Sequence, residues 1–247
     1  MAAAFLALAE QHRPELLVAS GDLTHRGRPD QHARAAALLS SFGTPVLAVP
    51  GNHDIPHTIP ARFIRTFDAF ERQWRTSEPV YRSATLLVAG LNSVRPWRHQ
   101  SGGLSSAQLR RAAETLATAS PSAVRVVVLH HQLIGAPWRT RKRPVARRDT
   151  VLAALVEAGA DLILAGHVHQ AAVSERREFE VAVGAQRAVV VATAPGLGQP
   201  RPKRRGEARG LNVYEVGDEA LAVSTYVWQS GAWHLTADRR FPREPGS

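Results

Sequence analysis

Asp161-Leu-Ile-Leu-Ala-Gly-His-Val-His169 runs four apolar residues straight into a glycine and two imidazoles. A short apolar run bounded by a turn signal reads as a buried strand. The same passage from apolar strand to polar loop occurs three more times. Glu15 to Ser20 leads into Gly21-Asp22, and Thr44 to Val49 leads into Gly51-Asn52-His53-Asp54. Ala123 to Leu129 leads into His130-His131. In an open α/β sheet, ligands bind beyond the carboxyl ends of the strands, where such loops converge.

Helical patterns separate these strands. Ala35, Leu38, Leu39 and Phe42 mark one apolar face, and Phe63, Phe67, Phe70 and Trp74 mark another. Ser105 with Gln108 forms a capping box ahead of Leu109, Ala112, Ala113 and Leu116. Val151, Ala154, Leu155 and Ala158 form a shorter face, stopped by Gly159. Val80 to Asn92 reads as a strand pair. After Gln170, Val189–Ala192, Leu211–Val216 and Leu221–Trp228 read as strands joined by short turns, and the tail from Phe241 to Ser247 is expected to fray. A βαβα front with a β-rich tail predicts one domain over residues 1–247, built as two packed sheets with helices outside.

Composition narrows the chemistry. The chain has 247 residues and no cysteine, which excludes disulfides, thiolate zinc sites and a cysteine nucleophile, and fits the cytoplasm. No apolar run is long enough to span a bilayer. Ala2, Phe5, Leu6 and Ala9 fall at helical spacing, so the opening stretch reads as an amphipathic helix, not a signal peptide. The net charge of +10 favours anionic partners. Much of it lies in Arg139–Arg148 and Arg201–Arg205 with Arg209, which read as solvated loops. Trp97-Arg98-His99 and Trp138-Arg139 read as loop packing. Their other reading is an aromatic and an arginine that stack a base and hold a phosphate.

Carboxylate, amide and imidazole without sulfur suit divalent first-row ions such as Mn, Fe, Zn, Co or Ni. A paired site of this kind generates a hydroxide nucleophile at neutral pH and clamps both ends of an in-line phosphoryl displacement.

The four motifs together resemble the calcineurin-like metallophosphoesterase superfamily, most nearly its cyclic-nucleotide and glycerophosphodiester phosphodiesterase branch, over roughly residues 10 to 225. The resemblance implies a four-layer α-β-β-α sandwich of two mixed β-sheets flanked by helices. It implies two divalent ions and metal-dependent hydrolysis of a small phosphodiester. Asp22 would bridge the ions. Asn52, His130 and His167 would join it on one of them, with His131 the lesser candidate for His130's place, and His169 would join Asp22 on the other. His53 would contact phosphate or protonate the leaving oxygen, oriented by Asp54.

The family's opening motif, Asp-x-His at the end of a first strand, is expected upstream of the helix that begins at Met1. On this reading the first strand is missing, an edge or slot is left in its sheet, and the second ion keeps only Asp22 and His169. The matching tripeptide Asp30-Gln31-His32 follows no strand and reads as surface. A truncated start would explain the gap, as would a weak, substrate-assisted second ion. A degenerate, non-catalytic metal-binding member of the fold is the alternative, and a nuclease of the superfamily is a further one, without a duplex-binding motif to support it.

Overall fold

The computed structural model describes residues 2–98, 100–135, 141–170, 172–177, 188–198 and 207–243. The first half runs α1 (Ala2–His12), β1 (Leu17–Ala19), α2 (Pro29–Ser40), β2 (Val46–Ala48), α3 (Ala61–Ile64), α4 (Asp68–Trp74), β3 (Val80–Arg82), β4 (Leu86–Leu91) and α5 (Ser106–Leu116). The second half runs β5 (Val124–Leu129), α6 (Arg148–Glu157), β6 (Leu162–Ala165), β7 (Ala172–Arg177), β8 (Ala188–Thr193), β9 (Gly210–Val216), β10 (Ala220–Gln229) and β11 (Ala232–Pro242). None of the helices is long and apolar enough to cross a membrane.

The central layer is a six-stranded sheet in the order β3-β4-β5-β6-β8-β7. Its four inner strands are parallel, and β3 and β7 run antiparallel at the edges. Parallel strands are covered on both faces, which explains why β5 and β6 are nearly continuous Val, Leu and Ile. One face carries Leu87, Leu91, Val127, Leu129, Ile163 and Val191 against Leu116 of α5 and Val151, Leu155 and Val156 of α6. The other carries Val88, Val126, Val128, Leu162, Leu164 and Val190 against a second β-layer. That layer is a parallel pair β1-β2 and an antiparallel sheet β11-β10-β9. Leu47 and Val49 reach the core from one piece, and Leu221 and Val223 from the other.

The expected layers are therefore present as a mixed α/β fold of stacked sheets with helices outside. The second β-layer is two ladders, not one mixed sheet. Among the described residues β1 is paired on one side only. The capping box forms as read, with the Ser105 hydroxyl accepting from Gln108 N–H and the Gln108 side chain meeting Ser105 N–H.

Four expectations change. The Phe63–Trp74 face is two helices, not one. Thr66 Oγ1 donates to Arg62 O at 2.7 Å, and the chain leaves helical geometry at Arg65. Phe70 is buried while Phe63 is 51% exposed. On α2 the buried residues are His32 and Ala36, and Leu38 is 42% exposed. Two strands went unread, β7 and the eleven-residue β11. The start of the tail is part of a strand, with Phe241 paired to Leu221 and packed on the core.

Candidate metal centre

All four motifs lie at carboxyl ends of parallel strands: Asp22 beyond β1, Asn52 beyond β2, His130 beyond β5 and His167 beyond β6. The loops are drawn together by backbone contacts that leave no room for side chains. Gly21 has φ +90°, and a Cβ there would stand 2.6 Å from His130 Nδ1. A Cβ on Gly51 would run into the backbone N and Oδ1 of Asp22. Asp54, fully buried, ties the first two loops to each other. Its carboxylate accepts Thr24 N–H at 2.8 Å, Gly51 N–H at 2.8 Å and Leu23 N–H at 3.2 Å. Burial and then the Asp22 charge push the Asp54 carboxyl above its ordinary range, and these three donors oppose that shift.

Two backbone carbonyls set the histidine tautomers. His130 Nδ1–H donates to Ser20 O at 2.8 Å, and His167 Nε2–H donates to Gln100 O at 3.0 Å. A neutral imidazole has one donor and one acceptor nitrogen. The lone pairs of His130 Nε2 and His167 Nδ1 therefore face each other, 3.0 Å apart. His130 Nε2 also lies 3.2 Å from Asn52 Oδ1 and 3.4 Å from Asp22 Oδ1.

Four electron-pair donors thus converge where no hydrogen is shared among them. Ligands about 2.1 Å from a tetrahedral ion stand about 3.4 Å apart, and somewhat closer in an octahedral shell. The observed spacings fit a first-row divalent ion with N and O ligands. Asp22 Oδ2 is buried without a hydrogen-bond partner, as an oxygen facing a second cation would be. Asp22 (φ +58°), His167 (φ +67°) and His169 (φ +59°) occupy left-handed backbone, a strain on the order of 1 kcal/mol or more each that collects at functional sites.

His131 stands closer than expected. It is 1% exposed, its ring nitrogens come within 4.8 Å of donors on His130 and His167, and its Nε2 has no partner. Its Nδ1 meets Ser93 Oγ at 2.9 Å. Among the described residues these three histidines are the one such metal-capable group, and His169 is not in it. His169 lies on the same turn, with its carbonyl accepting Ala208 N–H at 3.3 Å.

Burial holds all three imidazoles below their ordinary pKa, His131 and His167 well below it. Burial pushes Asp22 up, but the charges of His130, His53 and Lys142 outweigh it and hold the carboxylate below its ordinary value. The basic loop is accordingly not all solvated. Lys142 is 7% exposed and its charge reaches Asp22 and all three histidines. Arg143 N–H to Gln100 O at 3.3 Å and Ala146 N–H to Gly102 O at 2.9 Å strap that loop over the site.

His53 is half-buried at the mouth. Its backbone N–H donates to Asp22 Oδ1 at 2.9 Å, and its Nδ1 donates to His25 O at 3.1 Å. The ring is oriented by the His25 carbonyl and not by Asp54, whose carboxylate is taken up by backbone. His32 is not surface, as had been expected of Asp30-Gln31-His32. It is 0% exposed, and its Nε2 donates to Asp54 O at 3.1 Å while its ring meets Phe70 edge-on. Asp30, by contrast, is exposed and paired with Arg28 and Arg34. Trp97 is 66% exposed; His99, Trp138, Arg139 and residues 201–206 lie outside the described residues.

Residues 1–171 match the calcineurin-like phosphoesterase family. The chain is 31% identical over 182 residues to a probable cyclic nucleotide phosphodiesterase of Synechococcus, covering 71% of this chain and 66% of that protein. It is 29% identical over 223 residues to a probable cyclic nucleotide phosphodiesterase of Rhodococcus erythropolis, covering 88% of this chain and 71% of that protein. The chain thus spans about two thirds of the length of these relatives. Its fold resembles that of a dimetal phosphatase from Danio rerio, with TM-score 0.66 at 13% identity over 98% of this chain and 88% of that one.

Proposed function

The chain belongs to the calcineurin-like phosphoesterase family, and from that footing we propose that it is a metal-dependent phosphodiesterase acting on a small phosphodiester, of the cyclic-nucleotide or glycerophosphodiester type. The observation that carries this reading is the convergence of His167 Nδ1, Asn52 Oδ1 and Asp22 Oδ1 on His130 Nε2, at 3.0, 3.2 and 3.4 Å. The names of the two bacterial relatives support the choice of a phosphodiester substrate.

Asp22, Asn52, His130 and His167 would hold one divalent ion, and Asp22 Oδ2 with His169 would contribute to a second. The chemistry supplied by ions bound there is Lewis acidity toward the phosphoryl oxygens and acidification of a water. The protein's own residues do the rest. Asn52, with Oδ1 turned to the ion, keeps its amide N–H groups to donate to a phosphoryl oxygen. Lys142 adds positive potential where charge develops on the equatorial oxygens. His53, with Nδ1–H anchored on His25 O, presents Nε2 outward. As the water oxygen bonds to phosphorus and the ester P–O bond breaks, protonated His53 gives its Nε2 proton to the departing oxygen.

The test is hydrolysis of bis(p-nitrophenyl) phosphate and of a cyclic nucleotide by protein loaded with Mn²⁺. His53→Ala is expected to lose about 10²- to 10⁴-fold in kcat, the usual worth of a general acid, while retaining its metal. Asp22→Ala should lose both metal and activity. Equal turnover by the wild type and Asp22→Ala would sink the assignment.

A further inference from the structure

Three imidazoles form a triangle at the mouth, outside the four-donor cluster. His25 and His53 stack with centroids 5.7 Å apart and planes 16° apart. His57 lies 5.7 Å from His53 and 6.4 Å from His25. His25 and His57 are both exposed to solvent.

Arg62 reaches the backbone next to His57. It is 5% exposed, an unusual place for a guanidinium without a carboxylate. Its Nε donates to Pro96 O at 2.7 Å and its Nη1 to Pro56 O at 3.1 Å. Both acceptors are neutral, and no ion pair among the described residues involves it. These bonds fix the guanidinium beside the Pro56–His57 peptide.

The charge here is one-sided. Burial, and after it His53, Arg62, His25 and Arg26, all act to hold the His57 imidazole below its ordinary pKa, and no acid acts on it. The one fixed cation, Arg62, is held by neutral backbone acceptors with no counter-ion among the described residues, and the exposed His25 and His57 rings beside it can each donate an N–H, an arrangement suited to an anion that arrives from outside. Inorganic and ester phosphates suit such a site, because their oxygens accept several charge-assisted hydrogen bonds at once.

We propose that His25, His57 and Arg62 form a second anion subsite beside His53, which holds an additional oxyanion, such as a terminal phosphate, carried by the phosphodiester itself. This rests on the phosphodiesterase reading above and narrows its substrate class to diesters bearing a further phosphate or carboxylate. The reacting phosphoryl group sits at Asp22, Asn52, His130 and His167, and the extra oxyanion sits on the far side of the His53 ring.

The test compares thymidine 5′-(p-nitrophenyl phosphate) with the same diester carrying a 3′-phosphate, using the full chain with Mn²⁺. The wild type should show a KM lower by about tenfold or more for the phosphorylated diester, the effect of one charge-assisted hydrogen bond. His57→Ala and His25→Ala, both at exposed positions, should bring the ratio of the two KM values toward one, as should Arg62→Gln if it folds. Calorimetry with inorganic pyrophosphate and metal-free protein gives a readout that needs no turnover. There the wild type should bind at least about fivefold more tightly than His57→Ala. If neither diester is hydrolysed, the phosphodiesterase reading fails, and the pyrophosphate titration alone decides the subsite. Equal KM values in the wild type, or a preference that survives all the substitutions, would overturn the proposal. Where the diesters are hydrolysed, pyrophosphate binding without any preference between them would also overturn it, by assigning the subsite to a free anion.

Discussion

His130 Nε2 and His167 Nδ1 face each other across 3.0 Å, and each ring has its other nitrogen tied to a backbone carbonyl. Neither ring can turn its proton inward without giving up that bond. The protein therefore holds two lone pairs against one another, with Asn52 Oδ1 and Asp22 Oδ1 beside them. Such an arrangement is stabilised by a cation and opposed by its absence.

The first prediction concerns pH. Burial depresses the pKa of His130, His131 and His167 in the fold. The unfolded chain keeps ordinary imidazoles near pH 6.5 and so binds more protons below that point. The stability contribution is therefore present above about pH 6.5 and lost as the pH falls toward the folded values, at up to about 1.4 kcal/mol per group per pH unit. Urea denaturation of chelator-treated protein between pH 8 and 5 should show this loss. His131→Gln should flatten the slope, since one of the three groups is gone. A stability curve flat over that range would contradict the neutral, buried assignment.

The second prediction concerns His32, which is not itself one of the four donors yet supports the Asn52 loop through Asp54 O. His32→Ala removes that donor and opens a cavity beside Phe70. A loss of about 2–4 kcal/mol is expected. Metal affinity should fall with it, because the Asp54 backbone is the other half of the loop that carries Asn52. His32→Gln should recover part of both, having a donor of similar reach. Thermal unfolding with and without Mn²⁺ separates the two effects; full metal affinity in a destabilised His32→Ala protein would confine the residue to packing.

What the sequence made legible, and what it hid, divide along a physical line. Asp22, Asn52, His130 and His167 could be read because an apolar strand announces its own end, and its next residues must then lie at one edge of the sheet. His32 and Lys142 could not, because burial of a polar side chain is decided by partners distant in the chain. For His32 that partner is Asp54, 22 residues away. The β11 strand was hidden because it lies at a sheet edge and is largely exposed, with Arg239 and Arg240 among its outward residues. Its apolar signal is therefore sparse. The tight Ser230-Gly231 turn, both residues at positive φ, was the available clue to that hairpin. Asp54 was misassigned for a subtler reason. A carboxylate one residue from His53 suggests a partner for its ring, but the short turn points it back at Gly51, Leu23 and Thr24 N–H.

The third prediction follows from those three bonds. Asp54→Asn keeps the shape but replaces one acceptor oxygen with an NH₂ that faces backbone N–H donors. A destabilisation of about 2–4 kcal/mol is expected, since a buried donor is left facing backbone donors and an acceptor is lost. The pH dependence gives the sign a second check. The folded Asp54 carboxyl lies above its ordinary range, so its ionisation opposes folding as the pH rises. Replacing it should therefore remove stability at pH 5 more than at pH 8. A larger loss at pH 8, measured by chemical denaturation, would mean that the carboxylate form is the one the three N–H groups stabilise.

The fourth prediction separates folding from function at Gly51. A methyl group there would overlap the Asp22 backbone and carboxylate and stand 2.9 Å from His130 Cε1. No flexible side-chain end can yield, because Asp22 and His130 are both anchored, the first through His53 N–H and the second through Ser20 O. The two loops must move apart, and the four donors with them. Gly51→Ala should therefore lower Mn²⁺ affinity by about 100-fold or more, consistent with displacing ligands by a few tenths of an ångström. The atoms a Cβ at Gly51 would meet belong to Asp22 and His130 and not to the core side chains of the sheets, so far-ultraviolet circular dichroism should be retained. Metal content after dialysis at fixed free Mn²⁺ is the measurement, and an unchanged content would mean that the loops do not converge on the ion as described.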